Sequence, residues 1–167
     1  MTRRSAFTIS LSKDSLVFAA AHFITLPGHR CEPLHGHNYR TRVAVEGDLD
    51  PEAHFVLDFA ALKTLMLGLT GALDHKVLLA LHNPKLAIEE RGDVVSVCYD
   101  GKPRYVFPRL ECALLPIPNT TVEMLAQYLA GRARAELERD DALRVQAIEV
   151  EVEENFGQSA TYREALA

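Results

Sequence analysis

The sequence predicts one α+β domain in which two strands precede two helices and two further strands follow them. Three stretches alternate apolar and polar residues, which is typical of half-buried strands. Two intervening stretches carry apolar residues at helical spacing, behind residues that favour helix caps. A length of 167 residues suits one hydrophobic core, so we assign residues 1–167 to a single domain.

The first two strands are predicted on either side of a loop rich in proline and glycine. The first runs toward His22, and the second begins at His35. Their apolar positions are Phe7, Ile9 and Leu11 in the first stretch, and Tyr39, Val43 and Val45 in the second. We expect the two strands to be antiparallel neighbours.

Two amphipathic helices are predicted next. Asp58 is a suitable N-cap for the first helix, and Thr120 with Glu123 has the spacing of a capping box for the second. The apolar faces comprise Phe59, Leu62, Leu65, Met66 and Leu69 in the first helix, and Val122, Leu125, Ala126, Leu129 and Ala133 in the second.

The last predicted strands run from Ile148 to Glu154 and, after a loop, around Tyr162. Glu154 falls in phase with the apolar residues Val150 and Val152. A carboxylate on a buried face is unfavourable unless it is paired or used, so Glu154 is a candidate for holding a cationic or donor-rich ring edge. The alternative is that the strand ends earlier and Glu154 turns outward.

One further segment has its own turn. Residues 94–99 and 104–107 flank Asp100 and Gly101, a pair that favours a tight hairpin turn. We interpret the segment as a hairpin on the surface of the domain. A lid over a binding site is the alternative.

Composition excludes several classes of protein. The net charge of −5 argues against a general nucleic-acid binder, and no apolar run has the length of a membrane span. The N-terminal residues lead into an alternating segment rather than a signal-peptide core. Cys31, Cys98 and Cys112 form neither a disulfide framework nor a C-x-x-C pair. We therefore expect a cytoplasmic protein with no nucleic-acid or membrane partner.

Three histidines predict a metal site. His35 and His37 lie two residues apart and therefore on one face of a strand, with Gly36 between them. His22, at the end of the neighbouring strand, would complete the three-ligand pattern of catalytic zinc, which leaves one coordination position open. An isolated H-x-H is more often a solvated pair, but the nearby Cys31 favours a functional site.

Asp74 and His75 form a second candidate group. An imidazole near a thiol can draw off its proton, and a carboxylate can orient the imidazole. As neighbours in sequence, the two side chains are not expected to hydrogen-bond each other, although both can line one pocket. A capping aspartate followed by a surface histidine is the common alternative.

Taken together, these residues resemble the 6-pyruvoyl-tetrahydropterin synthase and 6-carboxytetrahydropterin synthase family. The match spans nearly the whole chain, and its segments occur in family order. They are residues 18–22 (FAAAH), 31–39 (CEPLHGHNY), 56–59 (VLDF), 73–76 (LDHK) and 120–123 (TTVE), followed by Glu154 and Tyr162.

The resemblance implies a tunnelling fold (T-fold), in which a four-stranded antiparallel sheet carries two helices on one face. It also implies a homohexamer built as a dimer of trimers, with active sites at subunit interfaces. The implied site residues are His22, His35 and His37 for Zn²⁺, Cys31, Asp74 and His75 for catalysis, and Glu154, Thr121 and Glu123 for the pterin.

The activity implied is that of a zinc-dependent lyase acting on 7,8-dihydroneopterin triphosphate. The expected product is 6-carboxy-5,6,7,8-tetrahydropterin of the queuosine (7-deazaguanine) route, or 6-pyruvoyl-tetrahydropterin. One branch of the family uses a glutamate in the cysteine loop and cleaves dihydroneopterin to 6-hydroxymethyl-dihydropterin for folate synthesis. Glu32 keeps that alternative open, beside a non-catalytic zinc or pterin binder and an unrelated metal-dependent hydrolase.

Two expectations concern the loop and the departures from the family. We expect zinc and His75 to lower the pKa of Cys31, and Glu32 to point away from it in an extended loop. Leu79 stands where family members usually carry asparagine, and residues from about 84 to 115 have no counterpart in the short members. That segment is predicted to be an insertion that includes the hairpin.

Overall fold

A computed structural model describes residues 6–28, 30–140 and 143–166. Within these ranges the protein is α+β, with two α-helices packed against a large mixed sheet. The strands are β1 (Phe7–Leu11), β2 (Val17–His22), β3 (Thr25–Leu26), β4 (Arg30–Cys31), β5 (His35–Gly47), β6 (Lys76–Ala80), β7 (Leu86–Arg91), β8 (Val94–Tyr99), β9 (Lys102–Pro108), β10 (Cys112–Leu115), β11 (Val145–Asn155) and β12 (Gln158–Ala165). The helices are α1 (Phe59–Gly71) and α2 (Val122–Leu137), with short 3-10 turns at Lys13–Ser15 and Arg109–Glu111. None of the described helices has the length and apolar character needed to cross a bilayer.

The long strand β5 organises the main sheet. Its first half pairs with β2, its second half pairs with β1, and β11 runs along its other edge. The single N-terminal strand predicted from Phe7 to His22 is therefore wrong, because the 3-10 turn separates it into β1 and β2. The backbone N–H of Thr41 donates to the carbonyl of Leu16 at 2.8 Å and ties this break to the middle of β5.

The predicted four-stranded antiparallel sheet is also corrected. In the described part of the chain the main sheet has seven strands, in the order β10-β6-β2-β5-β11-β12 with β1 also on β5. The pairs β2–β6 and β6–β10 are parallel, whereas the remaining pairs are antiparallel as predicted. Strands β6 and β10 are short apolar runs of five and four residues, which carry too little periodicity to be recognised in sequence.

Both helices share one hydrophobic core with the sheet. Asp58 caps α1 as predicted, since its side chain accepts a hydrogen bond from the N–H of Ala60 at 2.9 Å. The predicted capping box of α2 is wrong. Thr121, and not Thr120, is the N-cap, and its side chain makes no capping bond within the described residues. The hydroxyl of Thr120 donates instead to the carbonyl of Phe23 at 2.9 Å.

Strands β7, β8 and β9 form a separate antiparallel sheet, which we name the inserted sheet. The predicted turn at Asp100 and Gly101 is present, with positive φ angles of 47° and 75°. The hairpin is extended by β7, so the segment is a three-stranded sheet in the described residues. Its assignment as an insertion stays a prediction.

The inserted sheet packs against the main sheet and forms a second hydrophobic core with it. Val95 and Val97 of β8 are buried against Leu79 of β6, Cys112 of β10 and Phe23. Leu79 is fully buried there. Side chains of Cys31 and Leu34 pack against the same cluster, so the second core also supports the loop before β5.

The close packing at the end of β5 can be tested at Gly47. A Cβ at Gly47 would lie 2.6 Å from the carbonyl oxygen of Arg144 and 3.0 Å from Cγ1 of Val56. Because backbone must shift to admit it, we expect Gly47→Ala to lower the free energy of unfolding by about 1–3 kcal/mol. Denaturant titration followed by circular dichroism measures the change.

Gly68→Ala is the matched control. Gly68 lies on the exposed side of α1, and a Cβ at this position would have nothing within 4 Å, so alanine should stabilise the helix by up to about 1 kcal/mol. Equal unfolding midpoints for the two variants would contradict the close approach at Gly47.

Candidate metal centre

Three histidines converge where β2 meets the start of β5. The antiparallel register sets His22 opposite His35 and Ala20 opposite His37, so the three imidazoles lie on one face of the sheet. Their ring centroids are 4.7–5.2 Å apart. Among the described residues, one ring nitrogen from each lies within 4.8 Å of the others, a grouping that could hold a metal ion.

Backbone carbonyls orient two of the three rings. Nδ1 of His22 lies 2.8 Å from the carbonyl oxygen of Thr120, and Nδ1 of His35 lies 2.9 Å from that of Pro33. A carbonyl oxygen only accepts, so each Nδ1 carries the proton and each Nε2 keeps its lone pair for a ligand. Fixing a histidine through its second nitrogen is the usual arrangement around protein-bound metals.

The remaining nitrogens are poised to bind a cation. Nε2 of His22 and Nε2 of His37 are buried and have no hydrogen-bond partner among the described residues. A buried polar atom without a partner is unfavourable, and a metal ion would satisfy both atoms at once. The donor set of three imidazoles is one that zinc accepts in open catalytic sites.

The protonation state of His22 suits this role. Burial is the main cause that lowers its pKa to about 4, and the neighbouring His35 and His37 lower it further. The hydrogen bond to Thr120 acts in the opposite direction but does not overcome burial. His22 is therefore neutral at pH 7, as a metal ligand must be.

A cavity of about 320 Å³ opens beside the three rings. This volume lies within the range of small-molecule sites. Its walls come from β2, β5, the first turn of α2, the end of β11 and the loop before β5. The lining residues are His22, Ile24, Glu32, His35, His37, Thr121, Val122, Glu123 and Glu154.

Glu154 reaches this cavity because β11 continues past it to Asn155. The alternative in which the strand ends before Glu154 is therefore wrong. Its charge contributes, after burial, to raising the pKa of Tyr39, whose hydroxyl is buried without a partner among the described residues. A carboxylate thus lies on the core face, near the metal ligands and open to the cavity.

The structure brings Glu32 rather than Cys31 into the lining of this cavity. The N–H of Glu32 donates to the carbonyl of Ile24 at 3.0 Å, which continues the pairing of β3 with β4 by one residue. Glu32 and Cys31 therefore lie on different sides of the loop, as expected, but it is Glu32 that borders the cavity. Cys31 ends the two-residue strand β4 and packs against the second core.

Burial also changes the acidity of Cys31. The pKa of its thiol is raised, mainly by burial, with smaller contributions from the negative charges of Glu32 and Asp100. The positive charge of Arg104 lowers it but does not offset burial. The pKa of the Cys31 thiol is therefore raised and not lowered in the described residues. The expected lowering depends on zinc and His75 lying beside the thiol.

Asp74 and His75 lie at a different place. They sit before β6, where His75 and the backbone of β2 line a second cavity, of about 420 Å³. Among residues 6–28, 30–140 and 143–166, no hydrogen bond or ion pair joins Cys31 to either of them. The described residues of one chain therefore do not join the predicted catalytic group.

The two residues do hydrogen-bond each other, contrary to expectation. His75 has a positive φ of 55°, which turns its ring back toward Asp74, and the two side chains lie 2.9 Å apart. The other carboxylate oxygen accepts the N–H of Ala19 at 2.8 Å. That bond, followed by the bond to His75, lowers the pKa of Asp74 and keeps it ionised.

The partners that fix the histidines are not predictable from the sequence pattern. The carbonyl groups of Thr120 and Pro33 orient the ligands, and a carbonyl has no side-chain signature. The buried hydroxyl of Tyr39 is a further polar group of the site, and the position of Tyr39 in phase with His35 and His37 along β5 is the signal that could have found it.

Residues 11–165 match the family described as 6-pyruvoyl tetrahydropterin synthase. A Methanocaldococcus jannaschii protein provisionally named 6-carboxy-5,6,7,8-tetrahydropterin synthase is 34% identical over 152 residues, which are 90% of this chain and 91% of the relative. The 6-carboxy-5,6,7,8-tetrahydropterin synthase of Aquifex aeolicus is 29% identical over 139 residues, 83% of this chain and 78% of that enzyme.

A solved structure gives the same result. It is a variant of Plasmodium vivax 6-pyruvoyltetrahydropterin synthase in which a glutamate described as a catalytic residue is replaced by alanine. The TM-score is 0.87 at 27% identity, over 97% of this chain and 99% of the other. The family match across residues 11–165, together with the shared fold, shows that the chain belongs to the 6-pyruvoyl tetrahydropterin synthase family.

Proposed function

We propose that the protein is a zinc-dependent lyase that converts 7,8-dihydroneopterin triphosphate to 6-carboxy-5,6,7,8-tetrahydropterin. The observation that carries this proposal is the convergence of three imidazoles beside a cavity that also holds Glu154. The carboxy-forming reaction is preferred because the archaeal and Aquifex relatives bear the name of that synthase.

Zinc fits the donor set. His22, His35 and His37 would supply three nitrogens and leave a position open on the cavity side. When bound, the ion would act as a Lewis acid on a substrate hydroxyl and lower its pKa. The carbonyls of Thr120 and Pro33 hold His22 and His35 in the tautomer that this ligation needs.

Other residues that line the cavity suit a pterin ring. The amino-pyrimidine edge of a pterin presents neighbouring N–H donors, and the two oxygens of the Glu154 carboxylate can accept from both. The hydroxyl of Thr121 makes no capping bond among the described residues, so it is available to the same ligand. Glu123 lines the cavity from the first turn of α2.

The proton transfers are assigned to Cys31 together with Asp74 and His75. In the carboxy-forming reaction water is consumed, the triphosphate leaves, and a carbon–carbon bond of the substrate's side chain breaks to release acetaldehyde. Cys31 would exchange the substrate protons, and the Asp74–His75 pair would accept and return the thiol proton. Because Cys31 and this pair are apart in one subunit, we place the pair on a neighbouring subunit of a homohexamer.

A second candidate reaction is favoured by the position of Glu32. Its side chain, and not that of Cys31, lines the cavity beside the histidines. The Plasmodium vivax relative also has a glutamate described as catalytic. With Glu32 as base, dihydroneopterin would lose a proton from a hydroxyl of its side chain, and the adjoining carbon–carbon bond would break to release glycolaldehyde. The pterin ring would take up the electron pair of that bond, and the protonated Glu32 would return its proton to the remaining carbon to give 6-hydroxymethyl-dihydropterin.

Metal content tests the ligand set. His35→Ala removes one of three nitrogens, so we expect near-stoichiometric zinc in the wild type and a large loss in this variant. Elemental analysis of the purified proteins measures it. His82→Ala, which changes an exposed histidine after β6, is the matched control and should retain its zinc. Full zinc in His35→Ala would disprove the assignment.

Product analysis separates the two reactions. Loss of a general base lowers turnover by a factor of about 10²–10⁴, so Cys31→Ala should abolish most carboxy product while Glu32→Gln keeps it. Any 6-hydroxymethyl product should depend on Glu32 instead. Mass spectrometry of products from dihydroneopterin triphosphate and dihydroneopterin measures both.

The control for this experiment is Cys98→Ala, which changes a partly buried thiol of β8 outside the cavity lining and should behave as wild type. Near-wild-type carboxy formation by Cys31→Ala would remove Cys31 from the mechanism. A wild type that makes only the hydroxymethyl product through Glu32 would establish the second reaction.

Subunit mixing tests the shared site. Cys31→Ala and His75→Ala should each be inactive, yet hybrids reassembled from equal amounts should recover about a quarter of the wild-type sites, because one interface in four carries both intact residues. Light scattering follows assembly and the lyase assay follows recovery. A monomeric wild type, or confirmed hybrids without activity, would contradict the interface.

A further inference from the structure

The loop from Cys31 to Leu34 is held from two sides. On one side Thr25 and Leu26 of β3 pair with β4, and on the other the inserted sheet supplies side-chain bonds. Nη2 of Arg104 donates to the carbonyl of Glu32 at 2.9 Å and lies 3.4 Å from the carbonyl of Cys31. The N–H of Leu34 donates to the hydroxyl of Tyr105 at 3.1 Å.

A β-bulge makes these contacts geometrically compatible. Val97 pairs with Tyr105 and Cys98 pairs with Pro103, so Arg104 is an extra residue on β9 without a partner position on β8. Consecutive residues of a regular strand point to opposite faces, and only one of them would reach the loop. The bulge re-aims the backbone so that Arg104 and Tyr105 both contact the same four-residue loop.

Aromatic rings hold Arg104 in place. Its guanidinium carbon lies 5.8 Å from the ring centre of Tyr99 and 5.2 Å from that of Tyr105, both within the range of cation–π contacts. The Tyr105 ring packs against Phe23 and Phe107, with centroids 5.2 and 5.4 Å away. The cation is therefore fixed between the inserted sheet and the loop.

We propose that the bulged pair Arg104–Tyr105 is a positioning element that sets the conformation of the Cys31–Leu34 loop and supplies the positive charge beside the Cys31 thiol. This proposal rests on the proposed function, which uses that loop for proton transfer. Arg104 binds backbone carbonyls and does not line the histidine cavity, so it acts through Cys31 and Glu32.

The electrostatic part has a definite sign. Burial and the charges of Glu32 and Asp100 raise the pKa of the Cys31 thiol, and Arg104 is the group that lowers it. Tyr99 is a further titratable group near this thiol, because the charge of Cys31 contributes to raising the pKa of Tyr99. Loss of Arg104 leaves only the groups that raise the pKa, so the fraction of thiolate at a given pH must fall.

The test is the pH dependence of Cys31 alkylation by iodoacetamide in the full-length protein, followed by peptide mass spectrometry. For Arg104→Met we expect the profile to move to higher pH and the rate at pH 7.5 to fall by about three- to tenfold. Arg91→Met is the matched control. It removes an exposed arginine of the same sheet that pairs with Glu89, and it should leave the profile unchanged.

Amide hydrogen exchange tests the positional part. Tyr105→Phe removes the acceptor of the Leu34 N–H but keeps the ring and every charge. We therefore expect faster exchange at Leu34 with no change in the alkylation profile. Arg104→Lys keeps the charge but cannot reproduce the planar guanidinium contact, so we expect a near-wild-type profile and faster exchange across the loop.

These outcomes decide the proposal without a lyase assay. Wild-type alkylation in a folded Arg104→Met, or wild-type exchange in Tyr105→Phe and Arg104→Lys, would overturn it. If Arg104→Met fails to fold by circular dichroism, Arg104→Gln replaces it in the alkylation experiment, while Arg104→Lys and Tyr105→Phe test the position of the loop. A wild-type protein that turns over no pterin would disprove the proposed function, whereas both readouts on the loop would still be measurable.

Discussion

The antiparallel register between β2 and β5 is the constraint on which the site depends. It sets His22 opposite His35 and Ala20 opposite His37, which brings three imidazoles to one face. A shift of one residue would turn His35 and His37 to the other face, because side chains alternate along a strand. Gly36 belongs to the same constraint, since a Cβ there would lie 3.2 Å from the carbonyl oxygen of Ala20. The glycine lets the two strands approach where the ligands converge.

The same face also carries the hydrophobic core. Phe18 and Tyr39 stack 4.9 Å apart directly beyond the histidines, so the site begins where the core ends. Among the described residues, the hydroxyl of Tyr39 and Nε2 of His22 are buried there without partners. Such groups are unfavourable in the folded state, and a ligand that satisfies them stabilises the fold as it binds. Binding and stability are therefore coupled at this boundary.

The inserted sheet adds a second constraint, on the loop before β5. Its strands bury Val95 and Val97 against Leu79, and Cys31 and Leu34 pack on the same cluster. Leu79 is fully buried under this sheet and needs no hydrogen-bond partner, whereas an asparagine at the same position would need one. The burial of Leu79 is thus explained by the three-stranded sheet that covers it. The loop that carries Cys31 and Glu32 is shaped by both cores.

The sequence by itself determined the features that depend on neighbouring residues. The alternation in β5, the cap at Asp58, the helical spacing of α1 and α2, and the shared face of His35 and His37 all follow from side-chain direction within one element. Only the tertiary structure decided the parallel pairing of β6 with β10, whose partners are separated by the whole inserted sheet. It also decided that Asp74 bonds His75, through a positive φ, and that Glu32 rather than Cys31 faces the cavity. These outcomes depend on turn geometry and on contacts between distant segments, which a periodic pattern of residues does not encode.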